Sequence, residues 1–375
     1  MPNERSFIAG FDWILFGASM ILVVFGVLVI ASATQDAVDP TLVNRVPDQI
    51  RFAIFGVIAL FVMAFLDYRL LASVSNWLYA LMIILLLAVV FFGTEGDGGA
   101  RRWVNLGILI QPSEVCKILF IVTLSNFFVK NYKEMDKIQT VFKSLFHLSF
   151  IAGLVFIQPD FSTTIVFVVI WAVITWAAGL RIRHIFMLAG IALVTLPIVV
   201  TQLQPYQQER ITNFVFPADE DDLEAQFGSF YNIEQALISI GSGGWTGKGY
   251  TSGSQNEGRF LRVRHTDFIF SVIAHEFGFI GGIVTMVLLG VIIFRILDGA
   301  TYASDELGSM ICYGVAGMIF FQTVVSIGMN LNLLPVTGLT LPFVSSGGTS
   351  LLFTMIGVGL AESVILRQRV KRDLS

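Results

Sequence analysis

The sequence predicts an all-α integral membrane protein with about ten transmembrane helices, and three observations carry that expectation. Hydrophobic residues fill 55% of the 375 positions and charged residues only 13%, about half the charged share of a soluble domain. Mean hydropathy is +0.78. Apolar runs long enough to cross about 30 Å of hydrocarbon recur along the chain, and the strand-period alternation of a β-barrel is absent. Together they make residues 1–375 a single polytopic membrane domain.

In chain order the expected spans are 13–33, 51–66, 76–93, 113–129, 144–158, 163–179, 185–201, 267–294, 307–329 and 348–366. The first ends in Ala31-Ser32-Ala33, which mimics a signal-peptidase site; its apolar stretch is too long for most signal peptides, so it is read as a retained span. Positive charge in short loops decides orientation. The side of the two termini holds 13 Lys and Arg (Arg5, Arg69, Lys130, Lys133, Lys137, Lys143, Arg181, Arg183, Arg295, Arg367, Arg369, Lys371 and Arg372), against 4 opposite (Arg45, Arg51, Arg101 and Arg102). Both termini are therefore expected in the cytoplasm.

That orientation places the long loop 202–266, between spans seven and eight, outside. Within it Leu223, Phe227, Phe230, Tyr231, Ile233 and Leu237 recur at helical spacing, as in a helix lying in the outer interface or packed on the bundle surface. Asp219, Glu220, Asp221, Asp222 and Glu224 precede it; a solvated stretch and a cation site both fit such a run.

Several function classes are excluded. A net charge of -4 and a pI of about 5.6 provide no basic field for nucleic acid. Cys116 and Cys312 sit in apolar runs and read as packing thiols, with no disulfide framework or CxxC metal site. No GxxxxGK[ST], and no GxGxxG after a strand, is present. An enzyme of this kind would draw its energy from an activated substrate.

Ionisable groups at membrane depth are costly and mark candidate sites. Glu114 and Lys117 open the fourth span, about 60° apart on one helix face; they suit either a structural ion pair or a cavity charge aimed at a lipid phosphate. Gln158-Pro159-Asp160 suits a helix stop with Asp160 capping the next helix, or a second polar centre. Asp267 stands where the long loop enters span eight, at a helix N-terminus whose dipole would favour its ionised form, with Arg259, Arg262 and Arg264 just upstream. A carboxylate base beside guanidinium forks is what transfer from a lipid pyrophosphate requires. Glu276 falls on the opposite helix face and is assigned to the bundle interior, and His275-Glu276 lacks the second histidine of a zinc site. The Leu334 to Ser350 stretch, rich in Pro, Gly and Ser, reads as a folded loop lining a cavity that opens outward.

These segments resemble the SEDS family (shape, elongation, division and sporulation). The resemblance covers nearly the whole chain: Arg102-Trp103 through Gln111-Pro112-Ser113-Glu114, Gln158-Pro159-Asp160, Arg210, Gly241-Ser242-Gly243-Gly244 with Gly247-Lys248-Gly249, His265-Thr266-Asp267-Phe268-Ile269-Phe270, and Leu334 to Ser350. It implies a ten-span helical fold that polymerises lipid II and releases undecaprenyl pyrophosphate. It further implies that Asp267 is the essential acid, with Glu114 and Lys117 supporting the cavity, and that a class B penicillin-binding protein is the transpeptidase partner; Asp160, Thr266, Ser345 and Ser346 are further candidate cavity residues. Candidate pyrophosphate ligands are Arg101, Arg102, Arg210, Arg259, Arg262 and Arg264. No certain cofactor is implied; a divalent cation, Mg or Mn, is a candidate charge partner. Arg264 before His265-Thr266-Asp267 and Gly253-Ser254-Gln255 look more like the elongation (RodA) branch than the division (FtsW) branch. Departures from the family pattern are His275 beside Glu276, Ser346, and Phe161-Ser162. The rival class is a lipid II transporter in which Asp267 only binds the lipid. Transporters tend to place ionisable groups at the midplane of inverted repeats, and no repeat is visible here.

Overall fold

Apolar helices that cross back and forth account for most of the structure. The computed structural model describes residues 10–35, 43–95, 101–105, 109–134, 137–216, 229–252 and 265–373. Its helices are α1 (Trp13–Ala33), α2 (Arg45–Phe65), α3 (Tyr68–Ser73), α4 (Ser75–Phe92), α5 (Pro112–Lys130), α6 (Ile138–Ile157), α7 (Phe161–Ala177), α8 (Ile182–Thr201), α9 (Pro205–Val215), α10 (Ser229–Gly243), α11 (Ile269–Thr301), α12 (Glu306–Asn330) and α13 (Gly348–Asp373). Among the described residues, 8 of these, namely α1, α2, α4, α5, α6, α11, α12 and α13, are long and apolar enough to cross a membrane, and α7 is a shorter apolar helix. The chain is a multi-pass membrane protein.

Each expected span coincides with a helix, but several helices run past the apolar stretch. The second starts at Arg45 rather than residue 51, because a helix continues through a polar first turn once it leaves hydrocarbon. The loops differ more. Three short antiparallel strands, β1 (Thr94–Glu95), β2 (Arg101–Asn105) and β3 (Leu109–Ile110), form a small sheet in order β1-β2-β3. The polar segment after α8 contains α9 and α10. Of the apolar positions expected on a loop helix, Ile233 is buried in α10 while Leu237 is exposed; Leu223, Phe227 and the acidic run from Asp219 lie outside the described residues.

Helices α5, α12 and α13 are largely buried, whereas α2 and α4 turn most of their surface outward. In lipid, association is driven by close packing rather than by expulsion of water, and small residues permit it. A Cβ at Gly359 of α13 would stand 2.5 Å from the Leu60 carbonyl oxygen of α2, so only glycine allows this crossing. Helix α11 breaks at Gly278 (φ 68, ψ -165), and the turn after α10 supplies the hydrogen bonds that the break frees. The Lys248 and Gly249 amides donate to the carbonyls of His275 and Glu276, each at 3.0 Å, and Phe279 N–H donates to the Gly244 carbonyl at 2.8 Å. A Cβ at Gly247 would reach 2.0 Å from the Glu276 carbonyl oxygen. This contact accounts for the Gly243-Gly244 and Gly247-Lys248-Gly249 spacing. Glu276 itself is buried and accepts the Ser32 hydroxyl of α1, in line with its expected interior role.

One end of the bundle is closed by charge. Asp12 accepts the Ile14 and Leu15 amides at 3.2 Å each, caps α1, and accepts Arg295 Nε of α11 at 2.9 Å and Arg369 Nη2 of α13 at 2.8 Å. Burial would raise its carboxyl, but the Arg295 hydrogen bond, the Leu15 amide and the two arginine charges hold it below the usual carboxylate range. A depressed carboxylate stabilises above its unfolded pKa, near about 4, and loses that contribution as pH falls through the folded value. Asp12→Asn is therefore expected to lower stability by about 3 kcal/mol at neutral pH, because two arginines lose their counter-charge. Thermal unfolding in detergent at pH 7 and pH 3 checks this: the deficit should shrink at the acidic pH.

Candidate active site

At the opposite end, the loop carrying Asp267 is clamped through its backbone. Phe268 is buried in a small apolar cluster with Ile233, Ala236, Met329 and Val336. Three successive carbonyls then receive separate donors: His265 from the Ser346 amide at 2.9 Å, Thr266 from the Ser345 hydroxyl at 2.8 Å, and Asp267 from the Asn330 side-chain amide at 2.9 Å. Asn330 Oδ1 also accepts Ser271 N–H at 3.0 Å. Below the serines, Gln49 of α2 donates to the Ser345 carbonyl and accepts the Gly347 amide, both at 3.3 Å. With its carbonyls fixed, the Asp267 backbone leaves its side chain few directions.

Two guanidinium groups approach that side chain from different elements. Gly338 lies between the two: a Cβ built there would make ordinary contact with Asp267 Oδ2 at 3.7 Å and with Arg210 Nη1 at 3.9 Å, and it is the left-handed backbone (φ +78), not space, that calls for glycine. Arg210, on α9, donates to the Val336 carbonyl at 3.4 Å. Arg102, on β2, donates to the Pro159 carbonyl and, at 2.8 Å, to the Tyr206 hydroxyl; its Nε is buried with no hydrogen-bond partner among the described residues.

Asp267 stands next to the helix N-terminus but does not cap it. Phe268 occupies the cap and makes no side-chain cap bond. Burial is the largest influence and pushes the Asp267 carboxyl above the usual carboxylate range, against the Arg210 charge, a Thr266 hydrogen bond and the Arg102 charge. A dipole that favours the ionised form is thus outweighed by desolvation.

The remaining expected residues fall into four groups. Asp160 caps α7 through Thr163 N–H at 3.2 Å and accepts Gln111 Nε2 at 3.1 Å, so it joins the start of α7 to that of α5. One turn into α5, Lys117 Nζ meets Glu114 Oε2 at 2.7 Å, both side chains buried. Arg101 is exposed at the start of β2, opposite Glu95 in the sheet. Arg259, Arg262 and Arg264 lie outside the described residues. Among the described residues no three His, Cys, Asp or Glu side chains are grouped to hold a metal ion. Sequence reasoning missed Asn330, Gln49 and Tyr206. The spacing of Ser326 with Asn330, and of Tyr206 with Arg210, each i and i+4 on one helix face, was the only available signal.

These features define a multi-pass membrane protein with one acid and two arginines gathered at one end of its helical bundle. The chain belongs to the FtsW, RodA and SpoVE family of cell cycle proteins, whose profile matches residues 12–370. It is 34% identical to the probable peptidoglycan glycosyltransferase FtsW of Francisella salina, covering 94% of this chain and 88% of that protein. It is 32% identical to the peptidoglycan glycosyltransferase MrdB of Escherichia coli K12, over 97% of this chain and 96% of that one. Among solved structures, a chain from a peptidoglycan synthase complex that coordinates polymerization and crosslinking superposes with a TM-score of 0.79 at 29% identity, over 96% of this chain and 98% of that chain. The rod shape determining protein RodA of Thermus thermophilus gives 0.68 at 28% identity, over 96% and 97%.

Proposed function

We propose that this protein is a peptidoglycan glycosyltransferase that polymerises lipid II on the outer face of the bacterial cytoplasmic membrane, in the elongation branch of its family, beside a class B penicillin-binding protein. The observation that carries the reading is the clamped, half-buried Asp267 carboxyl, acted on by the charges of Arg210 and Arg102. Asp267 takes the proton from the 4-hydroxyl of the acceptor N-acetylglucosamine. That oxygen forms a bond to the anomeric carbon of the donor N-acetylmuramic acid while the α-linked pyrophosphate leaves from the opposite face, which gives a β linkage in one inverting step. The charge developing on undecaprenyl pyrophosphate is met by the guanidinium groups, and the buried Arg102 Nε–H offers a further donor.

Three further features support the reading. Among the described residues Arg295, Arg367 and Arg369 lie at the end opposite Asp267, which suits a cytoplasmic face there. An apolar cleft of about 410 Å³ opens between α1 and α2, lined by Val27, Leu28, Ile50 and Ile54 among others. Ile50 follows the Gln49 that holds the Ser345 loop, so a polyprenyl chain in the cleft would bring its head group toward Asp267. Similarity to a chain of a polymerising and crosslinking complex suits a transpeptidase partner, and the Arg264-His265-Thr266-Asp267 segment suits the elongation branch. The test is fluorescent lipid II in sealed vesicles carrying the purified protein with its partner. Glycan chains are expected; translocation of the lipid without glycan product would overturn the assignment in favour of transport.

A further inference from the structure

One side chain touches both arginines. Tyr206 lies in the first turn of α9, one turn from Arg210. Its hydroxyl accepts Arg102 Nη2 at 2.8 Å and donates to the Pro159 carbonyl at 3.0 Å. Its ring lies under the Arg210 guanidinium, with Cζ 5.7 Å from the ring centroid. Gln207 Nε2 also donates to the Pro159 carbonyl, at 3.1 Å, which pins the first turn of α9 to the corner between α6 and α7. The geometry points to Tyr206 as a positioning residue that sets the two guanidinium groups around Asp267, the hydroxyl holding Arg102 and the ring holding Arg210. This rests on the reading of Asp267 as base and the arginines as the pyrophosphate site.

The two contacts come from different parts of one side chain and can be removed separately. Tyr206→Phe keeps the ring but leaves Arg102 only its bond to the Pro159 carbonyl; Tyr206→Leu also takes the ring from Arg210, which keeps its bond to the Val336 carbonyl. Loss of one positioning hydrogen bond is expected to lower kcat/KM for lipid II about fivefold to tenfold, and loss of the ring contact as well about another tenfold. The acid limb of the pH profile should move upward in both variants, since each arginine charge favours ionised Asp267, at unchanged melting temperature. A structural residue would change melting temperature and leave the limb in place.

The experiment is a mutant cycle on the full-length protein, read by lipid II polymerisation and by the rise in melting temperature that inorganic pyrophosphate induces, which needs no turnover. The expected result is that Tyr206→Phe adds nothing in an Arg102→Gln background, while its loss multiplies with that of Arg210→Gln. Multiplying losses for Tyr206→Phe and Arg102→Gln, a wild-type Tyr206→Phe, or a loss that only follows a lower melting temperature would each overturn the inference. An active Asp267→Asn protein would instead overturn the proposed base and leave the cycle readable.

Discussion

Asp267→Asn is expected to lower lipid II polymerisation about a thousandfold while leaving the fold intact, the size of effect that loss of a positioned general base produces. Asparagine matches the carboxylate in shape and can occupy the same pocket beside Gly338, and the three clamped carbonyls from His265 to Asp267 are untouched by the change. Only the proton acceptor is lost. The pH profile gives an independent check. Because burial raises the Asp267 carboxyl, the acid limb of kcat/KM should lie above the ordinary carboxylate value of about 4. Activity is then present above that limb and lost as pH falls through it. Arg210 is the strongest influence pulling the carboxyl down, so Arg210→Gln should move the limb further upward. Near-normal glycan chains from a correctly folded Asp267→Asn protein would remove Asp267 from this role.

How much of this arrangement the sequence reveals depends on how local each interaction is. The long helices are legible because a hydrocarbon slab selects apolar runs by length, and Glu114 with Lys117 is legible because i and i+3 always meet on a helix. Asp267 stands out for its motif, yet its electrostatics do not, because the helix begins at Ile269 and the surrounding mass comes from distant segments. Arg102 and Tyr206 are 104 positions apart, and nothing in either neighbourhood signals the other. Helix α9 reads PYQQERITNFV, too polar for a span and too short for a clear amphipathic period, so from sequence the element that carries both Tyr206 and Arg210 is indistinguishable from loop. Asn330 escaped for a related reason: a polar residue ending an apolar span gains meaning only when a carbonyl 63 positions away needs a donor.

The buried pair on α5 should give the largest effect on stability. Lys117 is 2% exposed and Glu114 7%, with 2.7 Å between Nζ and Oε2, in one of the most buried helices of the bundle. Lys117→Met removes one charge and strands the other in a low-dielectric interior, at an expected cost of about 3 to 5 kcal/mol. Glu114→Gln should do the same to the lysine. The double variant, Glu114→Gln with Lys117→Met, buries no net or isolated charge and is expected to recover most of that loss, since neutral packing residues often replace a buried ion pair at little cost. Thermal unfolding of the three proteins in detergent decides the matter. A double variant as unstable as the singles would mean that the cost lies in packing against α4, α7, α12 and α13 rather than in an uncompensated charge. The pair matters beyond its own helix because the Glu114 amide donates to the Gln111 carbonyl at 3.1 Å. Gln111 in turn bonds Asp160, the residue after the Pro159 carbonyl that holds Arg102. A charge stranded in that first turn of α5 would therefore disturb the corner on which the Arg102 side of the Asp267 site is built.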